Sequence, residues 1–333
     1  MKYTLIAVTA FVFATSSCHR NLSITLDEVP TERIRGEQCL RIDSCSIANI
    51  FLYGDYVVGI VPQSNWGRHP YYLFDKSHLN IMGEMGVFGH SGDEFTNVNP
   101  YYVEVSNSGF VQCVDGCYEG NYTIEDGKLL TLGKQKISAC NMNGLCRLDS
   151  TTYLFRSEGT DEEYAVYSSA AKKITTFGRY PQDVFPVDNA EDEWGYYSTY
   201  PVFNVHDNIL YSFHTYIPLV RLYAKGREEM ASYITDGSIS ASANYQAYQN
   251  DTSPIFYGIA KSYGRSIYAL YHGTRFLQPY SEIQVWQDRG RLVKRYVIDK
   301  WIKCFDIDVS SDVLYGIYVD DEEYIFSASL SYI

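Results

Sequence analysis

The sequence is poor in positive charge and lacks long apolar runs. Its 333 residues include 27 Lys and Arg against 40 Asp and Glu, a formal net charge of −13. Because nucleic acids and anionic bilayer surfaces both require an excess of positive charge, neither is an expected partner. No segment beyond the N-terminus approaches the ~18 consecutive apolar residues of a membrane-spanning helix. The ten prolines and 24 glycines are too thinly spread for a collagen-like or low-complexity protein.

Motifs for metal binding and hydrolysis are also missing. The seven histidines show neither His-x-His nor His-Glu-x-x-His spacing, and the closest cysteines, Cys113 and Cys117, have no matching second pair. Three histidines near two carboxylates fit exposed loops better than a metal site. These residues are His69, His78 and His90, with Asp93 and Glu94. Because residues 89–92 are not the Gly-x-Ser-x-Gly turn of a hydrolase either, we predict no metal, no cofactor and no catalytic residue.

Aromatic side chains, by contrast, are abundant. The chain has 32 Tyr, 16 Phe and 4 Trp, which together make 16% of its residues. Tyrosine at this density favours β-strands and broad amphipathic surfaces. Alternating apolar and polar residues predict many short strands, and no segment shows a convincing amphipathic helix. The sequence therefore predicts an all-β protein.

The first 17 residues have the features of a lipoprotein signal peptide. Lys2 is followed by an apolar run, Tyr3 to Ala14, and then by small residues that end at Cys18. A run of this length is too short to span the roughly 30 Å hydrocarbon core, so cleavage is expected. Small residues directly before a cysteine predict that Cys18 becomes the lipidated N-terminus, with its acyl chains as the only membrane attachment. An ordinary cleavage site with an incidental cysteine is the alternative.

These features divide the chain into a signal peptide (1–17), a tether (18–31) and one domain (32–333). The acylated protein is expected in the envelope of a Gram-negative bacterium, on its outer membrane. Some surface-exported lipoproteins carry an acidic run after the cysteine, and none follows Cys18. We therefore favour a location that faces the periplasm over one on the cell surface.

The other seven cysteines fit an oxidising compartment. Three pairs are close enough in sequence to close small loops, although free thiols are equally compatible with the spacing. These pairs are Cys39/Cys45, Cys113/Cys117 and Cys140/Cys146. An odd number leaves at least one thiol free, and Cys304, in an apolar strand, is the expected one.

One pattern recurs six times along the chain: a polar turn followed by an apolar strand, most often with tyrosine. The turns are about 40–60 residues apart, which is the period of a four-stranded propeller blade. They begin at Gly54, Asn107, Asp149, Asp207, Gly264 and Ser311. The last unit ends one strand short, and a strand around residues 34–42 is predicted to supply its outer edge. The sequence thus predicts a six-bladed β-propeller closed by an N-terminal strand.

Three segments resemble a known family. Residues 85–95, with Phe88, Gly89, Glu94 and Phe95, are similar to the G-x-G-P-G-E-F segment of TolB-like six-bladed propeller lipoproteins. Residues 177–181 are similar to that family's F-G-x-Y-P element, and the C-terminal third follows its pattern. The chain departs from the first motif at positions 91–93, where the family has Gly, Pro and Gly. The resemblance implies the same architecture and address, and no particular reaction.

Several polar residues are assigned structural roles. His206 and Asp207 stand where other units have plain turn residues, so we predict a turn there. Asp306 and Asp308 alternate on one strand and should face the same side, bonding between blades or lining the channel. The acidic run 320–323 predicts a solvated hairpin and does not have the spacing of a calcium loop.

The best candidates for a binding surface are aromatic residues at the end of the longest stretch between strands. They are Trp194, Tyr196, Tyr197 and Tyr200. Aromatic rings on propeller loops are suited to stacking on a sugar or a peptide, which requires at least two exposed, clustered rings. Packing of the same rings between blades is the competing interpretation. Tyr245 and Tyr248 are a second candidate.

These observations favour a monomeric, non-enzymatic envelope lipoprotein that binds an envelope protein or a glycan through its propeller loops. The alternative is a metal-assisted hydrolase or lactonase at the mouth of the central channel. That alternative requires three or four acidic or histidine ligands that converge at the channel.

Overall fold

The structure, a computed structural model, contains 26 strands within the residues that it describes. Those residues are 21–36, 38–137, 144–158, 160–182, 185–187, 194–224, 229–234 and 240–330. The signal peptide, Cys18, Cys140 and the acidic segment 188–193 lie outside them. In the described parts of the chain, no helix combines the length and the apolar character needed to cross a bilayer.

Three short strands precede the blades. They are β1 (Asn21–Ile24), β2 (Thr31–Arg33) and β3 (Gln38–Ile42), with a 3-10 turn, Leu26–Glu28, between the first two. Each of the six blades then begins with an innermost strand and proceeds outwards by antiparallel pairing. Consecutive strands therefore form four-stranded antiparallel sheets in blades 1 to 5 and the first three strands of blade 6.

The blades follow one another along the chain. Blade 1 contains β4 (Asn49–Tyr53), β5 (Tyr56–Ile60), β6 (Tyr71–Asp75) and β7 (Ile81–Met85). Blade 2 contains β8 (Val98–Ser106), β9 (Gly109–Val114), β10 (Tyr118–Glu125) and β11 (Lys128–Lys136). Blade 3 contains β12 (Cys146–Asp149), β13 (Thr152–Arg156), β14 (Tyr164–Ser168) and β15 (Lys173–Phe177).

The second half repeats this arrangement. Blade 4 contains β16 (Thr199–Asn204), β17 (Ile209–His214), β18 (Leu219–Ala224) and β19 (Glu229–Ile234). Blade 5 contains β20 (Ile255–Tyr263), β21 (Ser266–Thr274), β22 (Ser281–Gln287) and β23 (Arg291–Ile298). Blade 6 contains β24 (Trp301–Asp308), β25 (Val313–Val319) and β26 (Glu323–Ser329). One helix, Ala241–Gln249, lies between blades 4 and 5.

The N-terminal strands complete three outer edges. β3 pairs antiparallel with β26 and supplies the fourth strand of blade 6, so the predicted closure is confirmed. β1 pairs parallel with β19, and β2 pairs parallel with β23. The described part of the predicted tether therefore includes a strand that is bound to the outer edge of blade 4.

The direction of the strands defines two faces of the ring. Each innermost strand starts on what we call the entry face, which carries the connections between blades and the loops between second and third strands. The opposite exit face carries the hairpins between first and second strands. The six predicted turns are these exit-face hairpins. Gly54, Asn208, Gly264 and Asp312 have φ between +52° and +57° there, a left-handed conformation that glycine, asparagine and aspartate adopt most readily.

The aromatic residues fill the space between neighbouring blades. Tyr71 of blade 1 and Phe110 of blade 2 place their ring centroids 5.8 Å apart. Phe213 of blade 4 lies 5.1 Å from Tyr257 and 5.9 Å from Trp286, both in blade 5. All five side chains are at most 1% exposed. Rings of this size suit wedge-shaped gaps between twisted sheets, which explains the high aromatic content.

Asp306 joins three blades, as its alternation with Asp308 predicts. Its carboxylate accepts hydrogen bonds from Tyr263 Oη and from the backbone N–H of Leu52, the latter at 3.0 Å. Lys261 Nζ lies 3.1 Å from the same carboxylate. Asp308 in turn pairs with a lysine of blade 1, Lys76, at 3.0 Å. Both aspartates therefore link blades.

Two other polar stretches also have structural roles. His206 Nδ1 lies 2.9 Å from Asp207 in an exposed exit-face turn, as predicted. The acidic run 320–323 is only partly the expected solvated hairpin. Glu323 accepts hydrogen bonds from Ser46 Oγ at 2.6 Å and Lys303 Nζ at 2.7 Å. This carboxylate therefore fixes the connection from blade 6 to blade 1 instead of facing solvent.

Three of the described cysteines have free thiols, and two of these thiols are at least partly buried. Cys39, Cys45 and Cys304 are free, so the first predicted close pair forms no disulfide and the expectation for Cys304 holds. Burial raises the pKa of the Cys45 thiol to about 11 and that of Cys304 to about 12. Neither thiol is therefore ionised near neutral pH.

Candidate functional site on the entry face

Two long connections bring the predicted aromatic stretches together on the entry face. The connection before blade 4 carries Trp194, Tyr196 and Tyr197, and the one after it contains the helix Ala241–Gln249. Ser240 caps this helix by accepting a hydrogen bond from the backbone N–H of Ala243 at 3.3 Å. The two candidate stretches, treated separately at the level of sequence, thus form a single cluster beside blade 4.

Tyr196 lies at the centre of this cluster. The centroids of Tyr197, Tyr245 and Tyr248 are each 5.2 Å from its ring. Tyr197 also stacks on Tyr180 at 5.2 Å and donates a hydrogen bond to the carbonyl of a neighbouring loop residue. Tyr196 and Tyr197 are completely buried. In this conformation both rings pack within the protein, as the competing interpretation expects, and neither is available to contact a partner.

The other two candidate rings reach the solvent. Trp194 and Tyr200 are half-buried. Tyr200, on β16, makes an edge-to-face contact with Tyr101 on β8 at a centroid distance of 5.5 Å. Because β8 and β16 belong to blades 2 and 4, this pair spans the channel beside the short inner strand of blade 3. Tyr101, which the sequence analysis did not single out, remains 50% exposed.

An arginine lies beneath Trp194. Arg156, at the entry-face end of β13, stacks on the indole with its guanidinium carbon 4.4 Å from the ring centroid. Its Nη1 donates to Ser198 Oγ at 3.3 Å, and its Nη2 donates to the carbonyl of Trp194. Burial lowers the pKa of Arg156. The arginine thus ties the second strand of blade 3 to the loop that carries the aromatic cluster.

Buried glutamates occupy equivalent positions at the start of three third strands. They are Glu119, Glu163 and Glu282, and each accepts a hydrogen bond from a tyrosine hydroxyl. Glu163 also pairs with Arg221 at 2.7 Å, and Glu282 pairs with Arg295 at 2.5 Å. The sequence analysis did not identify these glutamates. The signal that could have revealed them is a Glu that recurs at the start of the third strand of a blade. Because Glu163 and Glu282 are fully buried and paired with arginine, they fasten strands together.

The described residues bring together no group of three or more His, Cys, Asp or Glu side chains suited to a metal ion. His69 instead lies 2.7 Å from the carbonyl of Gly86 and 3.1 Å from Glu84. His78 lies 3.4 Å from Asp75, next to it in the same exit-face turn. Within this part of the chain, the converging ligands that a metal-assisted hydrolase requires are not found.

His272, at the entry-face end of β21, predicts a dependence of stability on pH. Its ring stacks on Trp301 at 3.7 Å, and burial lowers its pKa to about 3. Between about pH 6.5 and pH 3 the unfolded chain binds a proton at this histidine that the folded chain does not. The free energy of unfolding therefore decreases as the pH is lowered through this range. We expect His272→Phe to remove about 2–3 kcal/mol of the stability difference between pH 7 and pH 4.5. Urea unfolding at pH 7 and at pH 4.5 measures this difference. An equal loss of unfolding free energy between the two pH values in the variant and the parent would contradict the prediction.

Comparisons with known proteins support the fold. No sequence family and no curated protein matches the chain. A solved member of the DUF4221 family from Bacteroides vulgatus aligns over 88% of this chain and 96% of its own, with TM-score 0.56 and 10% identity. A candidate exported protein from Bacteroides fragilis aligns over 94% and 100%, with TM-score 0.51 and 13% identity. At this identity the likeness shows the fold alone, and membership of the TolB-like family stays a prediction.

Proposed function

We propose that this protein is a lipid-anchored envelope protein that binds a protein or glycan through the entry face of its propeller. The observation that carries the proposal is the set of partly exposed rings on the entry face, which are Trp194 and the contacting pair Tyr200 and Tyr101. Aromatic rings held rigidly at the mouth of a channel offer contact area at little entropic cost. The resemblance to TolB-like lipoproteins supports the same address.

The proposed anchor and the proposed binding face are compatible. β1 begins at Asn21, three residues after Cys18, and runs parallel to β19. Since fourth strands run towards the entry face, Asn21 lies at the exit-face end of blade 4. Three residues span at most about 10 Å. Acyl chains on Cys18 would therefore hold the exit-face end of this edge near the bilayer and leave the entry face further from it.

Replacement of Cys18 tests the anchor. We expect Cys18→Ala to move the protein from the membrane fraction to the soluble fraction, because acyl chains are the only predicted attachment. Cys39→Ala, which removes an exposed thiol from β3, is the matched control and should leave the protein with the membranes. Retention of Cys18→Ala on membranes after a high-salt wash would contradict the lipoprotein assignment.

Replacement of surface rings tests the binding face. Tyr200→Ala together with Tyr101→Ala should weaken binding to isolated envelope glycans or envelope proteins at least about tenfold, as expected for central aromatic contacts. Val205→Ala, at a 78% exposed exit-face position, is the control and should bind like the parent. Equal affinity of all three proteins for every captured ligand would reject the entry face as the binding surface.

A further inference from the structure

A buried arginine that forms no ion pair with any described carboxylate lies between blades 3 and 4. Arg156, Arg221 and Arg295 are 3%, 5% and 8% exposed. Arg221 pairs with Glu163 at 2.7 Å, and Arg295 pairs with both carboxylate oxygens of Glu282. In the described part of the chain, no carboxylate lies within ion-pair distance of Arg156. Burying an unpaired charge is costly, so this exception requires an explanation.

The surroundings of Arg156 contain donors that lack acceptors. Its Nε is buried without a hydrogen-bond partner, and so is the indole Nε1 of Trp194, whose ring stacks on the guanidinium. Thr215 Oγ1 is also buried and unpaired, and the backbone N–H of Thr215 donates to Ser198 at 2.7 Å. Ser198 is itself a partner of Arg156. Three neighbouring residues therefore lack the same kind of partner, an oxygen that accepts hydrogen bonds.

The nearest buried carboxylate cannot supply that oxygen. Glu163 already accepts hydrogen bonds from Arg221 Nη1 at 2.7 Å, Tyr223 Oη at 2.6 Å and Ser212 Oγ at 3.2 Å. Glu163 and Glu158 lie near enough to favour the charged form of Arg156, but in the described part of the chain neither forms an ion pair or a hydrogen bond with it. His214, fully buried beside Glu163, has no hydrogen bond at either ring nitrogen. A hydrogen-bond acceptor supplied by a ligand would satisfy the unpaired donors of Arg156 and Trp194.

We propose that Arg156 is the centre of a binding site for a carboxylate group carried by the ligand of the entry face. This assignment rests on the proposed function and names the chemistry that it recognises. A carboxylate fits the free Nε edge of the guanidinium, because planar oxyanions match its fork of donors. The half-exposed indole of Trp194 covers one face of the guanidinium, so a ligand that reaches Arg156 displaces or stacks on this ring. An acidic sugar and an acidic peptide side chain share this chemistry.

Tryptophan fluorescence of the purified full-length protein tests the site. The probes are glucuronate and N-acetylglutamate, with glucose as the neutral control. We expect at least one acid to change the emission with Kd of about 1 mM or tighter, and glucose to change nothing. The acid that binds identifies the source as sugar or peptide. In Trp194→Phe the change should disappear, which assigns the signal. No response to either acid, or an equal response to glucose, would overturn the proposal.

Variants of Arg156 separate binding from folding. Arg156→Lys keeps the charge but loses the fork, and should weaken acid binding at least tenfold. Arg156→Met should abolish acid binding. Because it also loses the hydrogen bonds to Ser198 and to the Trp194 carbonyl, thermal unfolding is measured beside it, and a cooperative transition shows that the fold is kept. The matched control is Arg265→Met, on an exposed exit-face turn, which should bind like the parent. Retained acid binding in Arg156→Met overturns the site. If that variant loses acid binding but captures the envelope partner with unchanged affinity, the carboxylate assignment fails and the proposed function stands.

Discussion

Deletion of residues 19–42 is expected to lower the melting temperature by about 10 °C or more. The deletion removes β3 and leaves blade 6 with three strands and an unpaired outer edge. It also removes Ile34 and Ile42, which are buried in the core and contribute about 1.5–3 kcal/mol each. Arg295 Nη1 loses its acceptors at the Leu26 carbonyl, 2.9 Å away, and at Thr31 Oγ1, 3.3 Å away. Thermal unfolding followed by circular dichroism measures the change.

A shorter deletion provides the matched control. Removal of residues 19–30 takes away β1 and the 3-10 turn but leaves β2 and β3 in place. We expect a smaller fall in melting temperature, since blade 6 keeps four strands. Equal melting temperatures for the parent and the longer deletion would show that the N-terminal strands do not stabilise the ring.

The second large effect is expected from Glu163→Gln. This change removes the carboxylate opposite Arg221 and weakens the hydrogen bonds from Tyr223 and Ser212. Because both partners are almost completely buried, the guanidinium is left without its counter-ion, which costs about 3–5 kcal/mol of unfolding free energy. Denaturant unfolding at pH 7 measures the loss.

An exposed glutamate provides the comparison for this variant. Glu125→Gln, at the end of β10, changes the same functional group at an exposed position and should alter stability by less than about 0.5 kcal/mol. Arg221→Met removes the guanidinium instead of the carboxylate and leaves Glu163 buried without its counter-ion, so it should also lower the unfolding free energy. A loss below about 1 kcal/mol for Glu163→Gln would mean that this network does not hold blades 3 and 4 together.

The fold could be predicted because its determinants are local. Residues such as Gly54, Asn208 and Gly264 mark hairpins through backbone conformations that few other residues adopt easily. The period of the turns then implies the number of blades, and the missing last strand implies closure by the N-terminus. β1 and β2 were not foreseen, because strands of four and three residues pair in parallel with distant segments and carry no turn signal.

The candidate site was harder to predict for a physical reason. Tyr196, Tyr197 and Tyr200 lie close together in sequence, yet two are fully buried and one borders the channel. Their exposure is decided by the helix Ala241–Gln249 and its tyrosines, which pack from another connection. Irregular segments lack the periodicity that separates inward from outward positions in strands. Arg156 ends an ordinary strand, and only the structure shows that none of the described carboxylates forms an ion pair with it.

The position of the first strands also sets the order in which the chain can fold. β1, β2 and β3 are synthesised first, but their partners lie in blades 4, 5 and 6; Arg295 and Leu26, for example, are separated by 269 residues. β1 can pair once blade 4 is complete, but blade 6 cannot be completed until nearly the whole chain is present, so β3 is the last of the three to pair. A chain that ends before blade 6 would keep β3 without its partner. The ring thus makes completion of synthesis a condition for its own closure, and a truncated product would expose unpaired strands of the kind that chaperones and proteases recognise.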